Sequence, residues 1–327
     1  MEKVRVAVIG VGSLGQHHAR NYSEMEGCRL VAVADVDRKA ATRIAHQCRC
    51  EPLFDADSLV GKVDAVSVVV PTSLHYDIAR RFLLADVDVL VEKPITSDVG
   101  QARELIDLAR ERRRVLQVGH IERFNAAVVY LQKILTRPLF IECHRLGPYD
   151  PRVRDVGVVL DLMIHDIDIV LRIVGSPILS IDAVGVPILS GREDIASARF
   201  KFANGCIANL TVSRVTPNKL RKIRIFQPES YISLDYQRQS VEVYTRTAIE
   251  NAGPNDPRAQ IVRKRKRLKK EEPLRAELSH FVDCVRNGHE PRVTGEHGHD
   301  ALQVAVSVTE QIQRKLGEGG GAIRHAL

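Results

Sequence analysis

The sequence predicts an α/β protein in which a doubly wound parallel sheet is followed by a second α/β domain. The sheet of this second domain is expected to be mostly antiparallel with one open face. Apolar strands alternate with helices up to residue 119, a glycine-rich turn follows the first strand, and segments of alternating polarity dominate the later part. Because 327 residues suffice for two domains, we place them at residues 1–120 and 121–327.

The first strand, residues 4–9, runs directly into the turn GVGSLG at residues 10–15, which opens a helix. Gly10 allows the tight turn, Gly12 lets the backbone approach a pyrophosphate, and Gly15 lets the helix pack close to the strand. The helix N-terminus offers free N–H groups and the positive end of its dipole to phosphates. This context is typical of a dinucleotide site; the alternative is a glycine turn that binds no nucleotide.

A second strand, residues 30–34, ends on Asp35, twenty residues after Gly15. A carboxylate in this position accepts hydrogen bonds from the adenosine ribose hydroxyls and repels a 2′-phosphate. The predicted cofactor is therefore NAD rather than NADP, although the nearby Arg38 and Lys39 would favour a 2′-phosphate.

Strands and helices continue to alternate up to residue 118, with strands at residues 63–70, 87–91 and 115–118 and helices at residues 75–86 and 98–113. Ligands of such sheets bind beyond the carboxyl ends of the strands, which makes the turns at residues 71–75 and 92–94 candidate sites. In the second turn, Lys93 could hydrogen-bond a substrate hydroxyl or stabilise a developing alkoxide. A surface lysine after a strand is the simpler alternative. We also expect the Lys93-Pro94 bond to be cis, as tight turns at X–Pro bonds allow.

After Gly119 the pattern becomes antiparallel, with expected strands at residues 139–144, 197–202, 206–212, 222–226 and 231–234. Asn204-Gly205 reads as a hairpin turn between two of them. Helices are expected at residues 126–135 and 274–316.

A helix predicted over residues 158–171 carries Asp161, His165 and Asp168 at positions i, i+4 and i+7, so the three share one face. Polar groups on an otherwise apolar helix are costly unless they are used or paired. One use is acid–base chemistry with Asp161 orienting His165, a second is a divalent metal. A satisfied polar pair at a domain interface is the third interpretation.

The formal net charge is +7, and seven basic residues lie in one run at residues 263–270. Without this run the net charge would be zero, so the basicity is local. No aromatic residue interleaves the run to stack on bases, which argues against nucleic acid as a partner. A solvated strand or loop is the simplest interpretation, and an anionic substrate or anionic membrane surface is the alternative.

No apolar run has the length of a membrane span, and no secretory signal precedes the first strand. The six cysteines are scattered, and Cys48 and Cys50 have no second cysteine pair at zinc-site spacing. We therefore expect reduced thiols in a cytoplasmic protein.

The glycine turn, Asp35, the EKP sequence at residues 92–94 and the D-x-x-x-H helix at residues 161–165 together resemble the Gfo/Idh/MocA family of oxidoreductases. The resemblance covers nearly the whole chain. It implies an N-terminal Rossmann domain that binds NAD and a C-terminal α/β domain with a large open sheet. Because that sheet often forms oligomer contacts in the family, we expect a homodimer or homotetramer.

The resemblance also implies roles for individual residues. His165 would be the general base for a sugar hydroxyl, Lys93 would polarise the same oxygen, and Asp161 would support both. No metal is implied. The cofactor contacts that the motifs predict are Gly10, Gly12, Ser13, Leu14, Gly15, Asp35, Val36, Arg38, Pro71, Thr72, His75, Glu92 and Lys93; among these, the nicotinamide side falls on Pro71, Thr72, His75 and Glu92.

Three further segments, at residues 119–125, 144–149 and 159–166, resemble a bacterial subgroup of the family. Its members oxidise the 3-hydroxyl of UDP-N-acetylglucosamine, which prepares a 3-amino group for lipid A. This resemblance predicts a set of substrate contacts: His120, Glu122, Arg123, Asn125, Arg145 and Tyr149. Ala126 stands where many relatives carry proline, a departure that concerns the shape of the loop.

Alternatives to this function remain. Another sugar or a cyclitol would suit the same chemistry. A non-catalytic NAD-binding regulator would keep the glycine turn but lose Lys93, Asp161 and His165, all of which are present. A metal-dependent hydrolase would instead use the shared face of Asp161, His165 and Asp168.

Overall fold

The structure is a computed structural model that describes residues 2–150, 156–247 and 260–323. The chain forms two compact units. The first contains residues 1–124 and 271–302, and the second contains residues 125–270 and 303–327. Residues 271–302 lie in the first unit, although the sequence predicts them as part of the second domain. Compact units are not evolutionary domains, and the domain boundary at residue 120 stays a prediction.

The first unit contains a six-stranded parallel sheet in the order β3-β2-β1-β4-β5-β6. Its strands are β1 Val4–Ile9, β2 Cys28–Ala34, β3 Glu51–Leu53, β4 Ala65–Val68, β5 Asp88–Glu92 and β6 Leu116–Gly119. The intervening helices are α1 Gly15–Ser23, α2 Arg38–Cys48, α3 His75–Leu84 and α4 Val99–Arg112. All residues of β4 and β5 are buried, as expected for parallel strands covered on both faces. The short strand β3 was not predicted.

The second unit contains an eight-stranded sheet in the order β14-β13-β12-β11-β7-β10-β9-β8, in which only β7 and β10 pair in parallel. Its elements are α5 Ala126–Ile134, β7 Phe140–Leu146, α6 Ile164–Val174, β8 Ile178–Val186, β9 Ile195–Phe202, β10 Ile207–Ser213, β11 Leu220–Gln227, β12 Ser230–Asp235, β13 Ser240–Thr247 and β14 Gln260–Arg267. The two sheets confirm the predicted fold class. The strands β8 and β13 were not predicted. The basic run, for which a solvated strand or loop was expected, lies mostly on β14, at the sheet edge.

One face of the second sheet is open. Along β7 the side chains of Ile141, Cys143 and Arg145 are buried, while those between them are only half-buried. The open face carries a row of rings from four adjacent strands: Phe140, Phe226, Tyr231 and Tyr244, whose neighbouring centroids lie 5.7, 4.8 and 5.1 Å apart.

Two predicted helices differ in the structure. The helix expected over residues 158–171 begins with a π-helical turn, Val159–Met163, and continues as α6. The helix expected over residues 274–316 is two helices, α7 Pro273–Asn287 and α8 Gly295–Ile323. The break follows from Gly288, whose φ of +66° ends α7 in a left-handed residue.

Helix α7 belongs to the first unit because its apolar face packs against residues of that unit. Leu278 and Phe281 are fully buried in one cluster with Val6 of β1 and Val33 of β2. No helix of the described residues is both long and apolar enough to cross a membrane. All six cysteines are free thiols.

The predicted hairpin turn between β9 and β10 is present, with Gly205 at φ +86° and its N–H donating to the Phe202 carbonyl. We expect Gly205→Ala to lower the free energy of unfolding by about 1–2 kcal/mol, since a side chain is disfavoured in the left-handed region. Gly191→Ala is the matched control, because Gly191 has open space around it and no positive φ. Urea unfolding measures both, and equal midpoints for the two variants would contradict the expectation.

Candidate cofactor and substrate sites

The glycine turn of the first unit is held by contacts that only glycine permits. Gly10 has φ +85°, and a Cβ on it would lie 2.3 Å from the Val69 carbonyl oxygen. A Cβ on Gly15 would lie 1.9 Å from the Gly10 carbonyl oxygen, so α1 starts in direct backbone contact with the turn. Around Gly12, by contrast, no atom lies within 4 Å of the Cβ position. The turn therefore presents an open backbone surface at the position that a pyrophosphate would need.

Asp35 at the end of β2 ties that strand to the turn. One carboxylate oxygen accepts from the Val11 N–H at 2.7 Å, and the other accepts from the Asp37 N–H at 2.9 Å. Asp35 and the fully exposed side of Val36 line a pocket with Gly10, Gly12 and Pro71. This pocket brings together five of the predicted cofactor residues.

Arg38 does not project into this pocket. Its guanidinium lies over the ring of Phe54, 4.5 Å from the centroid, while Asp37 caps the start of α2 by accepting from the Lys39 N–H. The basic residues that would favour a 2′-phosphate are thus beside the pocket rather than lining it. Ser13 and Leu14 complete the turn ahead of α1.

Two further turns follow β4 and β5, as predicted. Pro71 and Thr72 lead into α3, whose first residue is His75. The buried His75 ring places Nδ1 2.8 Å from the Pro94 carbonyl oxygen and Nε2 2.9 Å from the Val70 carbonyl oxygen. Burial lowers the pKa of His75, against the effect of these carbonyl groups. His75 therefore joins the two turns, and its predicted contact with a cofactor stays a prediction.

The Lys93-Pro94 peptide bond is cis, as expected. Glu92, just before it, is buried and lies with Oε1 3.2 Å from Nε2 of His18, which α1 supplies. Burial alone would raise the pKa of Glu92, but the His18 contact and the charge of Lys93 hold it below its usual range. His18 stands in no recognisable sequence motif; its only signal is the spacing of three residues from Gly15 on the buried side of α1.

The segment after β6 supplies four predicted substrate residues. His120, Glu122 and Arg123 are buried in the first unit, around a 3₁₀ turn. Asn125 belongs to the second unit, where its side chain caps α5 through the Ala127 N–H and donates to the Tyr236 carbonyl at 3.1 Å. The structure gives Asn125 a role in folding, and its substrate contact stays a prediction.

In the second unit, Asp161 and His165 line one pocket, on either side of the change from π-helical turn to α6. Such turns are frequent at functional sites. Asp168 is buried and does not line this pocket. The prediction that Asp161, His165 and Asp168 present one common face is therefore only partly right. The described residues include no group of three or more His, Cys, Asp or Glu that could hold a metal ion, which leaves the metal-dependent alternative without a ligand set there.

Two buried ion pairs fix the walls of this pocket. Arg145 binds Asp166 through two hydrogen bonds of 3.0 Å and lies 5.2 Å from the ring centroid of Tyr236. Arg214 binds Asp194 at 2.7 Å, and its guanidinium lies 5.4 Å from the ring centroid of Tyr149. These contacts orient the two arginines, so the predicted substrate residue Arg145 is a rigid wall of the pocket.

The Asp194 carboxylate is held by backbone and side-chain donors together. It accepts from the N–H groups of Ile188 and Leu189 as well as from Arg214. Although burial favours the protonated form, these donors hold the pKa of Asp194 well below its usual range.

Among the described residues, two further cations line the pocket, Lys219 and Arg221, together with the carboxylate of Asp150. Lys219 is exposed and takes part in no salt bridge with another described residue. The sequence analysis did not single out either residue, because neither stands in a recognisable motif.

Comparisons with known proteins agree with this geometry. Residues 4–120 match a family model described as the oxidoreductase family with an NAD-binding Rossmann fold, and residues 132–233 match the GFO/IDH/MocA C-terminal domain. A UDP-N-acetylglucosamine 3-dehydrogenase from Acidithiobacillus ferrooxidans is 37% identical over 319 residues, 96% of this chain and 100% of that protein. Its solved structure superimposes with a TM-score of 0.89 at 35% identity, over 96% of this chain and 99% of that one. A scyllo-inositol 2-dehydrogenase (NAD(+)) from Bacillus subtilis is 26% identical over 335 residues, 96% of this chain and 95% of that protein.

The parallel sheet, its glycine turn and the acid at the end of β2 define an NAD-dependent dehydrogenase that acts on a CH–OH group. With both family models matched and a relative of 37% identity over nearly the whole chain, the chain belongs to the Gfo/Idh/MocA family. The predicted family, fold class and cofactor are thereby confirmed.

We expect NAD to bind at least tenfold more tightly than NADP, about 1.4 kcal/mol, because Asp35 lines the pocket at the end of β2, and a carboxylate in that position repels a 2′-phosphate. Calorimetric titration with both cofactors measures the difference, and Asp35→Ala should narrow it. Arg38→Ala is the comparison variant, since Arg38 lies on Phe54 rather than in the pocket. Equal affinities in the unmodified protein would mean that Arg38 and Lys39 outweigh Asp35.

Proposed function

We propose that the protein oxidises a hydroxyl of a nucleotide sugar, the 3-hydroxyl of UDP-N-acetylglucosamine, with NAD as the hydride acceptor. The observation that carries this proposal is the pocket of the second unit. It combines an acid–base pair, Asp161 and His165, with the cations Lys219 and Arg221. An acid–base pair suits the oxidation of a sugar hydroxyl, and the two cations suit the binding of a diphosphate.

His165 is the proposed general base. A carbinol carbon releases hydride only as its hydroxyl proton is withdrawn, so a base must lie within hydrogen-bonding reach of that oxygen. An imidazole has the pKa range for this role near neutral pH. Asp161 shares the pocket and can favour the charged imidazolium once the proton has been taken. To Lys93 we assign the polarisation of the same oxygen through its ammonium group.

The proposed diphosphate contacts follow from the charges. Arg145 and Arg214 are already paired with Asp166 and Asp194, so their charges are largely balanced inside the protein. Lys219 has no such partner among the described residues, and its flexible ammonium suits a phosphate that arrives with the substrate. An inositol would leave this charge unused, and the inositol-oxidising relative is also less similar in sequence than the UDP-sugar dehydrogenase.

The cellular setting is part of the same proposal. A 3-keto nucleotide sugar is the substrate that an aminotransferase needs to install the 3-amino group of a lipid A precursor, which places the protein in the cytoplasm, where nucleotide sugars are made. The aromatic row on the open face of the second sheet, at Phe140, Phe226, Tyr231 and Tyr244, is the surface through which we propose a homodimer or homotetramer.

The substrate is tested by NADH formation across a panel of sugars, UDP-sugars and inositols. We expect UDP-N-acetylglucosamine to give the highest kcat/KM. The 3-deoxy analogue should bind without turnover, because only the reacting hydroxyl is missing. Faster oxidation of a free sugar or an inositol than of every UDP-sugar would reject the proposed substrate while leaving the dehydrogenase chemistry intact.

The chemical step is tested by removing the proposed base. His165→Ala should lower kcat by on the order of 100-fold or more with little change in NAD affinity. Lys93→Ala should have a similar effect, because it removes stabilisation of the developing alkoxide. Exposed residues of the same types provide the controls, His46→Ala and Lys62→Ala. Near-normal turnover by His165→Ala in stopped-flow measurements would remove it from the mechanism and shift the base to Lys93.

The phosphate contact is tested through binding. Lys219→Ala should raise KM for UDP-N-acetylglucosamine roughly tenfold with kcat nearly unchanged, since a phosphate is bound equally in the ground and transition states. Lys201→Ala, an exposed lysine on β9, is the control. An unchanged KM in Lys219→Ala would place the diphosphate elsewhere.

A further inference from the structure

The first unit contains a buried histidine that the proposed chemistry does not use. His18 lies on α1 with 0% exposure, and its Nε2 is 3.2 Å from Oε1 of Glu92 at the end of β5. It can reach Glu92 because Gly15, one turn earlier on α1, is in backbone contact with the Gly10 carbonyl. Any side chain at Gly15 would push α1, and His18 with it, away from the strand ends.

The Glu92 carboxylate is confined from a second side. Gly119 pairs with Glu92 across β5 and β6, and a Cβ on Gly119 would lie 2.8 Å from the carboxyl carbon. The other carboxylate oxygen accepts from the backbone N–H of Lys93 at 3.2 Å. One oxygen of Glu92 therefore faces α1, and the other holds the turn that carries the lysine.

The charge of Glu92 must be balanced locally. A buried carboxylate is destabilising unless it is paired. The cationic and titratable groups that act on it are His18 from α1, Lys93 beside it and His75 from α3. The His75 ring nitrogens lie against the carbonyls of Val70 and Pro94, whereas Nε2 of His18 lies directly against the Glu92 carboxylate.

We propose that His18 is a positioning residue for the chemical step. It holds Glu92, and through Glu92 the backbone of Lys93, in the orientation in which the lysine ammonium meets the substrate oxygen. Because His18 and the glycine turn stand on the same helix, the contact also joins the cofactor-binding turn to the lysine turn. This inference rests on the catalytic role proposed for Lys93.

Variants at two adjacent histidines test the proposal. His18→Leu should lower kcat at least tenfold while KM for NAD changes less than twofold. His18→Gln, whose side-chain amide could donate to Glu92, should recover at least half of the lost activity on a logarithmic scale. His17→Gln is the matched control, because His17 is exposed on the same helix. The assay follows NADH with the panel compound that the unmodified enzyme oxidises fastest.

A double variant tests whether His18 acts through the charge of Glu92 or whether its loss damages the enzyme in general. Glu92→Gln removes the carboxylate that His18 serves, so adding His18→Leu to Glu92→Gln should reduce kcat by less than threefold further. Thermal midpoints show which variants fold. If His18→Leu does not fold, His18→Asn replaces it, being polar but too short to make the contact.

Three results would overturn the inference. The first is a kcat of His18→Leu equal to that of the unmodified enzyme. The second is a raised KM for NAD at constant kcat, which would assign His18 to cofactor binding. The third is an equal loss of kcat in His18→Leu and His18→Gln, which would assign His18 a purely structural role. The Lys93→Ala variant, measured in the same assay, distinguishes the role proposed for His18 from the role proposed for Lys93. Full turnover without Lys93 rejects both, whereas an inactive Lys93→Ala with an active His18→Leu rejects only the role of His18.

Discussion

The architecture of the first unit depends on one backbone contact, the approach of Gly15 to the carbonyl of Gly10. A Cβ at Gly15 would lie 1.9 Å from that oxygen, so α1 can start where it does only with glycine in this position. The contact places the helix N-terminus at the turn, where free N–H groups and the helix dipole favour a phosphate. It also sets the depth at which α1 presents His18 to Glu92. The glycine motif is usually explained by cofactor binding. Here it also sets the position of the helix that contacts the strand end before Lys93.

The second unit uses buried charge in a different way. The pairs Arg145–Asp166 and Arg214–Asp194 are almost fully buried, and burying such pairs gains little stability because desolvation offsets the attraction. Their effect is geometric, since each arginine is held by at least two contacts and forms a fixed wall of the pocket that Asp161 and His165 line. Because the charges of this wall are balanced, attraction for an anion falls to the other cations of the pocket, of which Lys219 is exposed.

Local patterns in the sequence predicted local structure well. The turn at residues 10–15, Asp35 and the cis bond at Lys93 each follow from neighbouring residues and are present as predicted. The packing of α7 in the first unit could not be predicted, because it depends on Phe281 meeting the core of β1 and β2 across a long stretch of chain. The π-helical turn before α6 was missed because periodicity cannot distinguish one extra residue in a helix. The proximity of Asp161 and His165 could still be predicted from their spacing, and both line one pocket; their catalytic role stays a proposal.

The basic run shows why composition alone is a weak guide to partners. Its residues 263–267 lie on β14, the edge strand of the second sheet, and pair only with β13. An edge strand exposes unpaired backbone groups, and lysine or arginine side chains there prevent another chain from adding to the sheet. Arg263 and Arg265 share Glu242 of β13, which holds them against the edge. Most of the excess positive charge of the chain therefore has a structural reason in the protection of one strand. For the proposed substrate the relevant cations are instead Lys219 and Arg221, which line the same pocket as Asp161 and His165.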